Sequence, residues 1–320
     1  MTSLLGTYRQ SVNDQVAALG AADFLPRFWE HDASLWTDDP SVADFIRSFL
    51  GWTDVVDASL AQVADLKAFA EEVWADGTTD VVVCGMGGSS LCSLVFAQAV
   101  GAASRVRVHV LDSTDPGTVI ALRSQLDLAK TLFVVASKSG TTVEPKAFED
   151  YFWGEAQAAL GARATSRFVA ITDPGSQMER ESQARGYRRI FLGIPEIGGR
   201  YSVLSVFGLV TAALMGIDVQ AMLEAAGSLG PAAETGTADH EGVVLGASLG
   251  ALAVAGRDKV TFFTSDRLSA FGLWAEQLIA ESTGKLGKGV LPLAQEPYGP
   301  VEAYSSDRVF VVLADGTAGS

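Results

Sequence analysis

The sequence predicts an α/β fold: a doubly wound parallel sheet, a helical lead-in before it, and a second, incomplete α/β unit after it. Three observations carry this expectation. Between residues 79 and 193 short β-branched runs alternate with helical stretches, the pattern of a parallel sheet covered on both faces. Each run ends in glycine, proline or hydroxyl residues, and on open α/β sheets ligands gather at such strand ends. With 320 residues, 48% of them hydrophobic and 19% charged, the chain can bury a large core and is long enough for two domains.

Residues 1–55 show helical spacing without a strand run, with acid-rich breaks at Asp32 and at Thr37-Asp-Asp-Pro40. Phe28, Trp29, Trp36 and Trp52 are the aromatic anchors expected where helices pack on a neighbour. From Asp57, apolar residues at Leu60, Val63, Leu66, Phe69 and Val73 predict one helix that stops at Gly77. The first α/β domain, 56–225, then runs through strands at Asp80–Cys84, Val106–Leu111, Leu132–Ala136, Phe168–Ile171 and Arg189–Leu192. A long helical zone over about 202–256 follows. The second unit, 226–320, adds a strand at Lys259–Thr264, a helix near 269–282 and a strand at Arg308–Leu313. One or two strands cannot close a sheet domain, which is why this unit is expected to be partial.

Charge and cysteine usage narrow the function classes. Thirty-eight acidic against 23 basic residues give a formal net charge of −15, which argues against nucleic acid or an anionic membrane as partner. A small anion can still bind locally. Cys84 and Cys92 lack the clustered partners of a zinc site or a disulfide framework, so no metal or cofactor is expected and a reducing, cytoplasmic setting fits. The first ten residues have no apolar block of the signal-peptide kind, and no run reaches membrane-spanning length.

Four stretches carry chemistry. In Phe133-Val-Val-Ala-Ser137-Lys138-Ser139-Gly140-Thr141-Thr142 a strand breaks into hydroxyls just before a helix, the build of a phosphate cradle. A plain helix cap needs only one hydroxyl, and four surround the glycine here. Gly85-Met86-Gly87-Gly88-Ser89-Ser90 resembles a dinucleotide turn without keeping the Gly-x-Gly-x-x-Gly spacing; its glycines allow close backbone approach to a ligand, and its serines add donors. Gly198-Gly199-Arg200-Tyr201-Ser202 sets a guanidinium ahead of a helix, suited either to a developing oxyanion or to an ordinary surface ion pair. Gln277 and Glu281 lie one helical turn apart on one face. A half-buried carboxylate there has the makings of a general base, although a solvated glutamate is the commoner case.

In this order and spacing the four motifs resemble glucose-6-phosphate isomerase, a pair of sugar-isomerase (SIS) domains. The isomerase half of bifunctional transaldolase/glucose-6-phosphate isomerase proteins is particularly similar, through Asp32-Ala-Ser-Leu-Trp36 and Leu50-Gly-Trp52. The resemblance implies an aldose–ketose isomerase of glycolysis and gluconeogenesis that interconverts glucose 6-phosphate and fructose 6-phosphate. It implies that Ser89, Ser137, Ser139, Thr141 and Thr142 hold the sugar's phosphate with help from neighbouring amides, and that Gly87, Gly88 and Lys138 also belong to the substrate-binding set. Arg200 would neutralise the enediolate, Glu281 would move the proton between C1 and C2, and Gln277 would orient substrate or base. A sugar-phosphate-sensing SIS module would keep the hydroxyl loop without needing Arg200 or Glu281. The partner is a sugar phosphate, with homo-oligomerisation left open.

The chain also departs from that family. The ring-opening histidine and late lysine have no match, since His31, His109 and His240 lie outside the matching context, and the C-terminal Phe-Asp-Gln signature is missing. Leu313-Ala-Asp-Gly-Thr-Ala-Gly-Ser320 falls in mid-domain, so the sequence reads as part of a longer enzyme, without a transaldolase module.

Overall fold

The structure is a computed structural model that describes residues 4–230 and 236–313. It divides into two compact units: Val55–Leu223, and residues 1–54 together with 224–320.

Val55–Leu223 is built on five strands: β1 (Asp80–Cys84), β2 (Arg107–Leu111), β3 (Thr131–Ala136), β4 (Phe168–Thr172) and β5 (Arg189–Leu192). All neighbours are parallel, in the order β2-β1-β3-β4-β5. Side chains of a strand alternate between faces, and the core divides accordingly. Val81, Val83, Leu132, Val134, Val169 and Ile171 face one layer, packed with the helices Val63–Ala75 and Val206–Met215. Val82, Cys84, Phe133, Val135, Phe168 and Ala170 face the other, where Phe133 stacks on Phe152 of the helix Val143–Leu160 at 4.7 Å. Both faces are covered, which is why these strands read as unbroken apolar runs. The helix Val206–Met215 is buried at all ten positions, matching its lack of a polar stripe.

The strand order fixes where a ligand belongs. From β1 the chain crosses to β2 on one side and then to β3 on the other, so the loops after β1 and β3 diverge at a topological switch point. Those loops hold Gly85–Ser90 and Ser137–Thr142.

The other unit contains the helices Arg9–Ala21, Phe24–Trp29, Pro40–Arg47 and Glu241–Val254, and a parallel sheet ordered β7-β6-β8. Its strands are β6 (Lys259–Thr264), β7 (Leu291–Leu293) and β8 (Arg308–Leu313), with the helix Ser269–Thr283 between the first two. Phe28 gathers the expected aromatics, lying 4.9 Å from Trp29, 6.2 Å from Trp36 and 5.7 Å from Trp52. On β8, Val309, Val311 and Leu313 pack inward while Val312 is 71% exposed.

Several sequence expectations need correction. The single helix expected from Asp57 is two, Val55–Leu60 and Val63–Ala75. The zone 202–256 is a 3-10 stretch Gly199–Leu204 and three helices, Val206–Met215, Val219–Gly227 and Glu241–Val254. Gly216 takes a left-handed φ of 85° and ends the first of those helices, where a continuous pattern hid the stop. Residues 231–235 of that zone, and 314–320 of the expected mid-domain end, lie outside the described residues.

Candidate active site

The loop after β3 closes on itself through its hydroxyls. Ser137 Oγ donates to Thr142 Oγ1 at 3.2 Å and accepts from Gly140 N at 3.2 Å; the Ser139 and Thr141 hydroxyls are 2.9 Å apart. Gly140 has φ +69°, and a Cβ there would lie 2.7 Å from Met178 N, so only glycine lets the loop rest on the next helix. Beneath it, Asp173 N donates to Lys138 O at 3.1 Å.

Ser89, Ser137, Lys138, Ser139, Thr142 and Asp173 line a cavity of about 310 Å³, with Met86, Pro145 and Gly199 on its walls. That is the lower end of the range of small-molecule sites, from about 300 Å³. The helices that start at this cavity differ from their neighbours. Val143–Leu160 and Leu91–Val100 begin without a side-chain cap at Thr142 and Ser90. The helices after β2 and β4 are capped, by Asp115 onto Thr118 N and by Ser176 onto Glu179 N. At the switch point, therefore, first-turn amides and the positive ends of two helix dipoles are left without a side-chain acceptor. An anion suits such a place.

The structure thus brings Ser89, Ser137, Lys138, Ser139 and Thr142 together. Thr141 is turned to Ser139 and is not in the lining. Gly87 and Gly88 form the turn, and a Cβ on Gly88 would meet Gly199 O at 2.1 Å and Arg200 N at 2.8 Å. The close approach that Gly88 serves here is to the chain itself, and it seats the Gly198–Arg200 segment beside the cavity. Arg200 lies with its guanidinium carbon 5.1 Å from the centre of the Tyr201 ring. Gln277 and Glu281 belong to the other unit. There Gln277 Nε2 donates to Glu281 Oε1 at 3.1 Å, Gln277 Oε1 is buried without a partner, and Glu281 is exposed rather than half-buried.

Sequence reasoning passed over Asp173. That residue lies in Thr172-Asp173-Pro174-Gly175, one of the strand ends rich in glycine, proline and hydroxyl residues, where a carboxylate two residues from a glycine carries no further signal. Lys138 Nζ donates to the Asp173 carboxylate and, at 2.9 Å, to Pro195 O. A larger depression of about 510 Å³ lies at the amino ends of β1 and β2, lined by Asp80, Arg105, Arg107 and Lys130 among others. It is at the wrong end of the sheet for α/β ligand binding, and Arg107 there is already paired with Asp80 at 2.9 Å. Both cysteines are buried; burial pushes the Cys92 thiol up to about 11 and Cys84 further, so neither is a reactive thiolate. No described helix is long and apolar enough to cross a membrane.

Solved structures share this fold. A hypothetical protein TT0462 from Thermus thermophilus matches with a TM-score of 0.78 at 26% identity, over 95% of this chain and 73% of that one. A glucose-6-phosphate isomerase from Chlamydia trachomatis matches with a TM-score of 0.63 at 27% identity, over 83% of this chain and 51% of that one. The architecture is the SIS fold of sugar isomerases. The sequence profile of phosphoglucose isomerase matches residues 50–291, and the chain belongs to that family. A glucose-6-phosphate isomerase from Rubrobacter xylanophilus is 35% identical over 235 residues, 70% of this chain. The chain spans 54% of that relative, and 40% of the glucose-6-phosphate isomerase of Synechococcus sp. (strain JA-3-3Ab).

Proposed function

We propose that the chain acts as an aldose–ketose isomerase interconverting glucose 6-phosphate and fructose 6-phosphate, in the cytoplasm as part of sugar-phosphate metabolism. The observation that carries the phosphate end is the pair of helices without side-chain caps at the switch point, flanking a cavity lined by Ser89, Ser137, Ser139 and Thr142. Family membership supports the chemistry.

In the ring-opened aldose, Glu281 takes the proton from C2, and the electron pair moves to form the C1–C2 enediolate. Arg200 neutralises the charge on O1, a role worth about 3 kcal/mol in comparable oxyanion sites. Return of the proton to C1, with O1 gaining a proton and O2 losing one, leaves the carbonyl at C2. Gln277, already hydrogen-bonded to Glu281 Oε1, orients the base. Thr141 keeps Ser139 in place within the cradle.

The purified chain incubated with glucose 6-phosphate should yield fructose 6-phosphate, and the reverse, while leaving free glucose unchanged. Saturable binding of the sugar phosphate without conversion would instead make the chain a sensing module.

A further inference from the structure

An ammonium in the middle of a phosphate loop has an obvious use, which is to neutralise the phosphate. Lys138 is engaged elsewhere. Its Nζ donates to Asp173 and to Pro195 O, so one side chain joins the loops that follow β3, β4 and β5. The Asp173 side of this junction is also tied by main chain and hydroxyl, through Asp173 N to Lys138 O at 3.1 Å and Thr172 Oγ1 to Lys138 O at 3.3 Å. The Pro195 side is different. The β4–β5 ladder runs as far as Gly193 N to Thr172 O at 2.8 Å, and beyond it the segment turns on itself, with Ile197 N donating to Ile194 O at 3.0 Å. Five residues after Pro195 comes Arg200.

Two features keep Lys138 where it is. The pair is sheltered, with side-chain exposures of 26% and 17%. The other Asp173 oxygen, Oδ1, is buried without a hydrogen-bond partner. A phosphate that drew Nζ away would leave both oxygens of a half-buried carboxylate without a hydrogen-bonded partner, an arrangement that disfavours the exchange. The pair also cancels the charge that Asp173 would otherwise bring into an anion cavity.

We infer that Lys138 is a positioning residue, a strut neutralised by Asp173 that fixes the Arg200-bearing segment against the phosphate loop, while hydroxyls and amides hold the phosphate. This rests on the reading of the loop as a phosphate cradle and of Arg200 as the enediolate partner.

The test uses Lys138→Met and the double variant Lys138→Met/Asp173→Asn, which removes both charges together and leaves no orphaned carboxylate. Inorganic phosphate binding is measured by calorimetry, and amide hydrogen exchange over residues 194–202 by mass spectrometry. In the double variant, exchange over 194–202 should be about tenfold faster or more. Its phosphate affinity should stay within about threefold of the parent, and turnover should show a fall in kcat rather than a rise in KM. A loss of phosphate affinity of about tenfold or more would make Lys138 a phosphate ligand and overturn the inference, as would unchanged exchange over 194–202. If the parent chain binds no phosphate, the cradle itself fails, and the exchange over 194–202 still decides the strut.

Discussion

Glu149 is a carboxylate at 1% exposure, held in the first unit by the donors around it. Arg185 Nη1 reaches it at 2.8 Å, Lys146 Nζ at 3.2 Å, and the Tyr187 hydroxyl donates to the same oxygen as Arg185. Burial, followed by the Glu149 charge, pushes the Tyr187 phenol well above its ordinary value, so it remains a donor throughout the working range. Glu149→Met leaves Arg185 and Tyr187 facing an apolar group and should cost on the order of 3 kcal/mol in urea unfolding. Asp80 gives a pH dependence. Burial pushes its carboxyl up, but hydrogen bonds from His109, Arg107 and Thr79 outweigh that and hold it below 3.8. A depressed carboxylate contributes stability above its unfolded value and loses it as pH falls through the folded one. Stability should therefore drop as pH falls below about 4, and Asp80→Asn should flatten that slope while lowering stability at neutral pH. A parent-like acid slope in the variant would remove Asp80 from the account.

The Gly85–Ser90 turn and the Gly198–Arg200 segment form one packed contact through Gly88 and Gly199. Gly88→Ala puts a methyl 2.1 Å from a carbonyl oxygen that belongs to backbone, so one segment must move. It should cost on the order of 2 kcal/mol by thermal or urea unfolding. Sugar-phosphate affinity should weaken with it, because Ser89 and Gly199 share the cavity. Elements with strong local patterns are legible in the sequence: the five strands of the first unit lie within a residue of their expected ends, and the central β1, β3 and β4 stand out because strands buried on both faces are nearly continuous apolar runs. β7 was not, since three residues with Pro292 in the middle carry no strand signal and the pairing to β6 alone defines it. The break between Val55–Leu60 and Val63–Ala75 was hidden because Leu60, Val63 and Leu66 keep helical spacing across it. Motifs were legible as phosphate-loop chemistry, but the partner of Lys138 was not: Asp173 lies 35 residues away and is brought in by the β3–β4 pairing.

At the scale of the whole molecule, strand order decides what the motifs mean. The order β2-β1-β3-β4-β5 sends the chain in opposite directions from β1, and only the helices at that divergence lack side-chain caps among those following β1 to β4. A sequence shows the loops but not which two share a crevice. Arg200 belongs to Val55–Leu223 and Glu281 to the other unit. Glu281→Gln keeps the shape of the side chain but cannot accept a proton, and should lower kcat by about a hundredfold with little change in KM. The most direct test is proton exchange at the reacting carbon, followed by NMR in D2O with glucose 6-phosphate and the unaltered chain. Deuterium should enter at C1 of fructose 6-phosphate as it appears, and at C2 of glucose 6-phosphate as the reaction reverses, and both should be suppressed in Glu281→Gln. Incorporation at the parent rate in that variant, or no incorporation by the unaltered chain while it binds the sugar phosphate, would contradict the account.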